Sequence, residues 1–130
     1  MAMTYAEAKE QFMGINPHKT TYSLDSGITA ATDEGKLLTI TDIGEAGVGS
    51  SGDNVLGVLA QYESDGYGSV QDGGYKEITF VHDVTTANEV TVGKFVQVNG
   101  AGLGALSTTY KGAIAVAVDA TNHLAIIKIG

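Results

Sequence analysis

Asp25 is the residue in this chain whose setting most invites chemistry. The run Leu24-Asp25-Ser26-Gly27 puts a carboxylate at the end of an alternating stretch. Two such carboxylates, one from each of two copies, would share a proton and work as an acid–base pair. The competing reading is a tight turn that uses Asp and Gly for their turn chemistry, and that is the reading adopted. Gly47-Val-Gly49-Ser-Ser-Gly52 has the spacing of a dinucleotide-binding loop. Such a loop must open directly into a helix whose amides point at a pyrophosphate. Asp53–Leu59 is instead short, glycine-broken and β-branched, so the spacing is assigned to glycine richness. Gly100-Ala-Gly102-Leu-Gly104 fails on the same ground.

The other reactive types are scattered. His18, His82 and His123 show no metal-binding spacing. Strand pairing could bring two of them together, but they are read as three separate polar loop or strand-edge histidines. Glu63, Asp65 and Asp72 could contribute oxygens to calcium, yet they lack the alternating ligands and closing bidentate Glu of a dedicated loop, and are read as solvated. No Gly-x-Ser-x-Gly elbow raises a serine, and with no cysteine there is no thiol chemistry, disulfide or cysteine-held metal. No catalytic, cofactor-binding or metal-binding residue is assigned from the sequence, and no cofactor is expected.

Charge narrows the partners. The net charge is −8 and all seven basic residues are lysines, so the chain lacks the arginine fork that reads guanine edges and phosphates. No basic cluster is present to displace counterions from a nucleic acid, and an anionic membrane would repel the chain. The expectation is no nucleic acid and no membrane partner. Met1–Glu10 is polar where a signal peptide needs an apolar stretch, and no run approaches the ~20 apolar residues of a membrane helix.

Several elements must position these residues. Thr4 and Glu7 have capping-box spacing, Tyr5, Ala8 and Phe12 share one face, and Gly14 is a natural stop, so Thr4–Met13 is predicted as a helix too short to stand alone. Beyond Lys19 the pattern is β. Strands are predicted at Thr20–Leu24, Lys36–Asp42, Val55–Tyr62, Tyr75–His82, Val90–Val98 (bent or broken at Gly93), Ala113–Val118 and Leu124–Ile129, the last two joined by a hairpin loop over Asp119–Asn122. Gly44–Asp53 is predicted as a mobile surface loop, Glu63–Gly74 as turn-rich and Asn99–Gly104 as a glycine-dense turn. The fold class is all-β, a small β-barrel or β-tulip/sandwich, with residues 1–18 as an N-terminal helix or arm and 19–130 as a single β domain.

Val92-Gly-Lys-Phe-Val-Gln-Val-Asn-Gly100, Gly112-Ala-Ile-Ala-Val-Ala-Val118 and His123-Leu-Ala-Ile-Ile-Lys-Ile129 resemble the closing half of tailed-bacteriophage capsid decoration (cement) proteins, with Ala115 and Ala117 departing from the family's usual glycine and alanine arrangement. Asn54–Ala60 resembles a further small-residue strand of that kind. The resemblance implies a structural virion protein, made in the host cytoplasm, that sits on the capsid surface and bridges subunits of the major capsid protein. It also implies self-association, with a trimer preferred to a dimer. Tyr5, Phe12, Met13 and Ile15 are the side chains chosen as capsid or subunit anchors, the alternative being that they close the chain's own barrel. Strand edges are expected to be available for adding to a partner sheet. Two rival functions are a dimeric viral-type aspartic protease using Asp25 and a phage tail or fibre surface-binding module. The absence of tryptophan weakens glycan stacking in the latter.

Overall fold

The computed structural model describes residues 1–130 apart from Val84, Thr86 and Ala87. Thr4 accepts from the Glu7 amide through its hydroxyl, and the Glu7 carboxylate accepts from the Thr4 amide, so the capping box is complete and helix α1 runs Tyr5–Phe12. Nine strands follow among the described residues: β1 His18–Leu24, β2 Leu37–Asp42, β3 Glu45–Gly47, β4 Gly57–Tyr62, β5 Tyr67–Thr79, β6 Phe95–Val98, β7 Gly104–Ser107, β8 Ala113–Asp119 and β9 Leu124–Ile129. The fold is all-β with one short helix near its start, as the alternation and turn density predict.

The strands hydrogen-bond in the order β1-β3-β2-β4-β5-β9-β8-β6-β7, and β1 also pairs with β5, closing β1, β3, β2, β4 and β5 into a five-stranded barrel. Ser23 and Leu24 run parallel to Glu45 and Ala46, whereas the rest of the barrel is antiparallel. The second half of β5 leaves the barrel and pairs with β9 from Gly74↔Ile129 to Thr79↔Leu124. Strands β9, β8, β6 and β7 continue that sheet, which curls back until Gly104 bridges Phe80.

Three apolar layers result. Leu24, Ile28, Leu38, Ala46, Leu59 and Val70 fill the barrel. Leu37 and Val58, on the opposite faces of the same strands, join Ile78, Phe80, Val96, Val98, Ala115, Ile127 and others in a larger core under the second sheet. Strands β2 and β4 are thus buried on both faces where they lie between the two cores, which is why Leu37-Leu38 and Val58-Leu59 are consecutive apolar pairs. A third layer lies outside the second sheet, where α1 covers Ala117 and Ile126 with Ala8.

Four expectations are corrected or narrowed. Glu63–Gly74 is not turn throughout: the turn ends at Gly66, and Asp72-Gly73-Gly74 sits inside the longest strand. Gly74, at φ 86°, lets the strand bend between the two sheets where a side chain would crowd the Pro17 backbone. Gly44–Asp53 is not a surface loop throughout, because Glu45–Gly47 is a barrel strand with Ala46 fully buried. The expected strand edges are fewer, with Ala105–Ser107 of β7 left open, among the described residues, on the side away from β6. Barrel closure removes them from the first sheet, and Phe80 and Val81 cover the start of β7. Val90–Val98 contributes a strand only over Phe95–Val98, after a turn at Gly93.

Candidate functional site

The α1 face is fastened to the chain's own second sheet. The Tyr5 hydroxyl donates to Glu77 Oε2 at 2.8 Å, Lys9 Nζ lies 3.3 Å from the same carboxylate, and the Phe12 ring stacks on Tyr75 with centroids 4.9 Å apart. Burial and the bond to Glu77 both push the Tyr5 phenol well above its ordinary range. Tyr5, Phe12 and Met13 are therefore half-buried among Tyr75, Val116, Ala117 and Ile126, while Ile15 faces solvent. Beside them runs a groove lined by Met3, Ala8, Val92, Val116 and Val118.

Asp25 sits in a turn. Its Oδ1 accepts from the Gly27 amide at 2.9 Å, its own amide donates to Ala46 O, and its carbonyl accepts from Ile28. The carboxylate lies flat on Gly47, where a Cβ would overlap it. The pattern Asp-Ser-Gly is satisfied by local turn chemistry, with the carboxylate seated against its own chain. The Gly47–Gly52 spacing opens into β4 and not a helix, and its Ser50 amide is taken by Asp53 Oδ2 at 2.9 Å. No amides are lined up there for a pyrophosphate.

The acidic trio disperses. Asp65 caps its own turn by accepting from Tyr67, Glu63 is exposed, and Asp72 lies on β5 holding His18, Thr20 and Tyr22. The histidines, by contrast, do not stay separate. The β5–β9 register ends at Thr79↔Leu124, and the Phe80 amide continues it by donating to His123 O at 2.9 Å. That carries His82 alongside His123, with ring centroids 4.5 Å apart. Glu89 completes the group: its Oε1 is 2.6 Å from His82 Nδ1 and 3.7 Å from His123 Nε2. Among the described residues this is the one cluster in which three such donors converge. The Asp83 amide, then the His82 ring, hold the Glu89 carboxyl below the usual carboxylate range, outweighing partial burial. No sequence signal singles out Glu89, since its partners come from strand register.

Apolar side chains also reach solvent at the turns. Ile43 is fully exposed and Tyr67 about half exposed (49%). The carbonyls of Gly44 and Gly66 accept from the adjacent Ser23 and Leu24 amides, so both turns flank the end of β1. No protein-family model matches the chain, and the curated proteins searched contain no match.

Proposed function

We propose that this chain is a structural virion protein that binds the outside of a phage head and stabilises the capsid by bridging major capsid protein subunits. The observation that carries the reading is a closed β body with apolar side chains held out at its turns: Ile43 and Tyr67 beside the end of β1, and Ile15 after the helix. Single exposed apolar residues are ordinary, but a fully exposed Ile at one turn and a half-exposed Tyr at the turn across β1 are the kind of anchors that a protein partner buries. The pattern over Val92–Ile129 that resembles decoration proteins falls on β6, β8 and β9 of the second sheet. The charge of −8 would keep the free protein dispersed before docking.

In such a role each contact is modest. Strength comes from many copies on a symmetric shell, because pulling one subunit away breaks several contacts together. With α1 packed on its own sheet, Ile15, Ile43 and Tyr67 are the side chains proposed to meet the shell or a neighbouring copy of a trimer. The test is co-sedimentation of the purified protein with expanded, undecorated capsid shells, together with shell melting. Binding and a raised shell melting temperature support the reading. A protein that neither sediments with shells nor protects them overturns it.

A further inference from the structure

We propose that His82, Glu89 and His123 form a binding site for a divalent transition-metal ion of the zinc class. One donor atom from each of His82, Glu89 and His123 lies within 4.8 Å of the other two. Around a tetrahedral zinc with bonds of about 2.0–2.1 Å, neighbouring donors stand roughly 3.3 Å apart. His82 and Glu89 at 2.6 Å must open slightly, and His123 and Glu89 at 3.7 Å must close slightly. The opening falls on His82, whose side chain is 60% exposed, and the closing on the Glu89 carboxylate, which swings toward His123.

Two features distinguish the group from a plain imidazole–carboxylate hydrogen bond. The first is that two rings converge on one oxygen. Glu89 Oε1 meets His82 Nδ1 at 2.6 Å and accepts from the Asp83 amide at 3.1 Å, and His123 Nε2 stands 3.7 Å from the same oxygen, beyond hydrogen-bond reach but near the spacing of two ligands of one ion. The second is where the left-handed residue of the β8–β9 turn falls. It falls on His123, at φ 55°, a conformation that histidine adopts more readily than most residue types. With its carbonyl tied to Phe80 and its ring set edge-on to the Phe80 ring at 5.5 Å, His123 is held in place toward Glu89.

Two imidazoles and one carboxylate suit zinc, cobalt, nickel or copper. They do not suit calcium or magnesium, which take oxygen ligands. A fourth position is left for water. The ion would join the segment leaving β5, Glu89 and the β8–β9 turn at one end of the second sheet, and so act as a clip. Because it binds the folded arrangement and not the open chain, it would raise stability with concentration.

The experiment titrates Zn²⁺ into full-length, untagged, chelator-stripped protein by calorimetry, with Mg²⁺ and Ca²⁺ as controls and visible absorption of the Co²⁺-loaded protein as a readout of nitrogen ligation. The expected result is one Zn²⁺ per chain and no comparable Mg²⁺ or Ca²⁺ uptake. Affinity should fall at least tenfold in E89Q and in H123A, and stay unchanged in H18Q, whose histidine lies on the barrel against Asp72. The thermal midpoint of the parent protein should rise by about 10 °C at one hundred times Kd. Melts in chelator establish that each variant is folded. Absence of stoichiometric Zn²⁺ uptake by the parent protein overturns the assignment, as does uptake retained in both E89Q and H123A or lost equally in H18Q.

Discussion

His18 and Asp72 meet across the β1–β5 pair, with Nδ1 2.6 Å from Oδ1. Thr20 donates to the other carboxylate oxygen at 2.8 Å and Tyr22 reaches it at 3.3 Å, so every second residue from His18 to Tyr22 converges on one acid. Burial alone would raise the Asp72 carboxyl. The bonds from His18 and Thr20 outweigh it and hold the group below the usual carboxylate range. A carboxylate lowered in the fold contributes stability above its unfolded pKa, near 3.9, and loses it as pH falls through the folded value. Urea unfolding from pH 7 down to pH 3 should therefore show Asp72→Asn less stable by about 1–3 kcal/mol at neutral pH. The gap to the parent protein should narrow below about pH 4. A gap that stays constant to pH 3 would show that the carboxylate charge is not what counts.

Gly57 and Gly14 make a contrasting pair. A Cβ on Gly57 would lie 2.0 Å from the Gln71 carbonyl oxygen, a backbone atom that cannot swing aside, whereas Gly14 has open space around it and ordinary φ. Gly57→Ala should cost about 3 kcal/mol or more by prising β4 from β5. Gly14→Ala should be neutral or stabilise by up to about 1 kcal/mol. Thermal melts of the two variants decide it, and equal midpoints would contradict the barrel packing.

The docking of α1 is open to a proteolytic and a spectroscopic check. Phe12→Ala removes the ring stacked on Tyr75, and it should leave the fold cooperative while speeding chymotryptic cleavage near Tyr5, since an undocked eight-residue helix frays. In an alkaline titration Tyr5 should ionise above the ordinary phenol range, because burial and Glu77 favour its neutral form. A phenol raised in the fold contributes stability below the unfolded pKa near 10, and that contribution is lost as pH rises through the folded value. Cleavage unchanged in Phe12→Ala would mean that the helix is held by something other than that ring.

Where local chemistry settles the structure, the sequence could be read directly. Thr4 and Glu7 spell a capping box that forms atom for atom, and the alternation in Ala113–Asp119 and Leu124–Ile129 gives the hairpin that carries His123. Where structure depends on distant partners, reading failed. Asp72-Gly73-Gly74 looks like a turn because glycine is usually punctuation, and only the neighbouring backbone at Pro17 explains why a strand needs glycine there. Glu45–Gly47 and Gly104–Ser107 are too short to show a period, and they become strands because flanking strands supply their hydrogen bonds. The His82–Glu89–His123 group was illegible for the same reason. Register brings its two histidines together and Glu89 joins them from outside the strands, and register is not written in spacing along the chain.

Strand β5 gives the molecule its mechanical character. Thirteen consecutive residues form one wall of the closed barrel and then one wall of the second sheet, so neither half keeps its perimeter if that strand peels away. The two halves are consequently one mechanical unit. Tension applied at the turn over Glu63–Gly66 runs along the covalent backbone of β5 to the sheet that seats the helix, with no pliant linker between them to absorb it. A girder of this kind yields all at once or not at all.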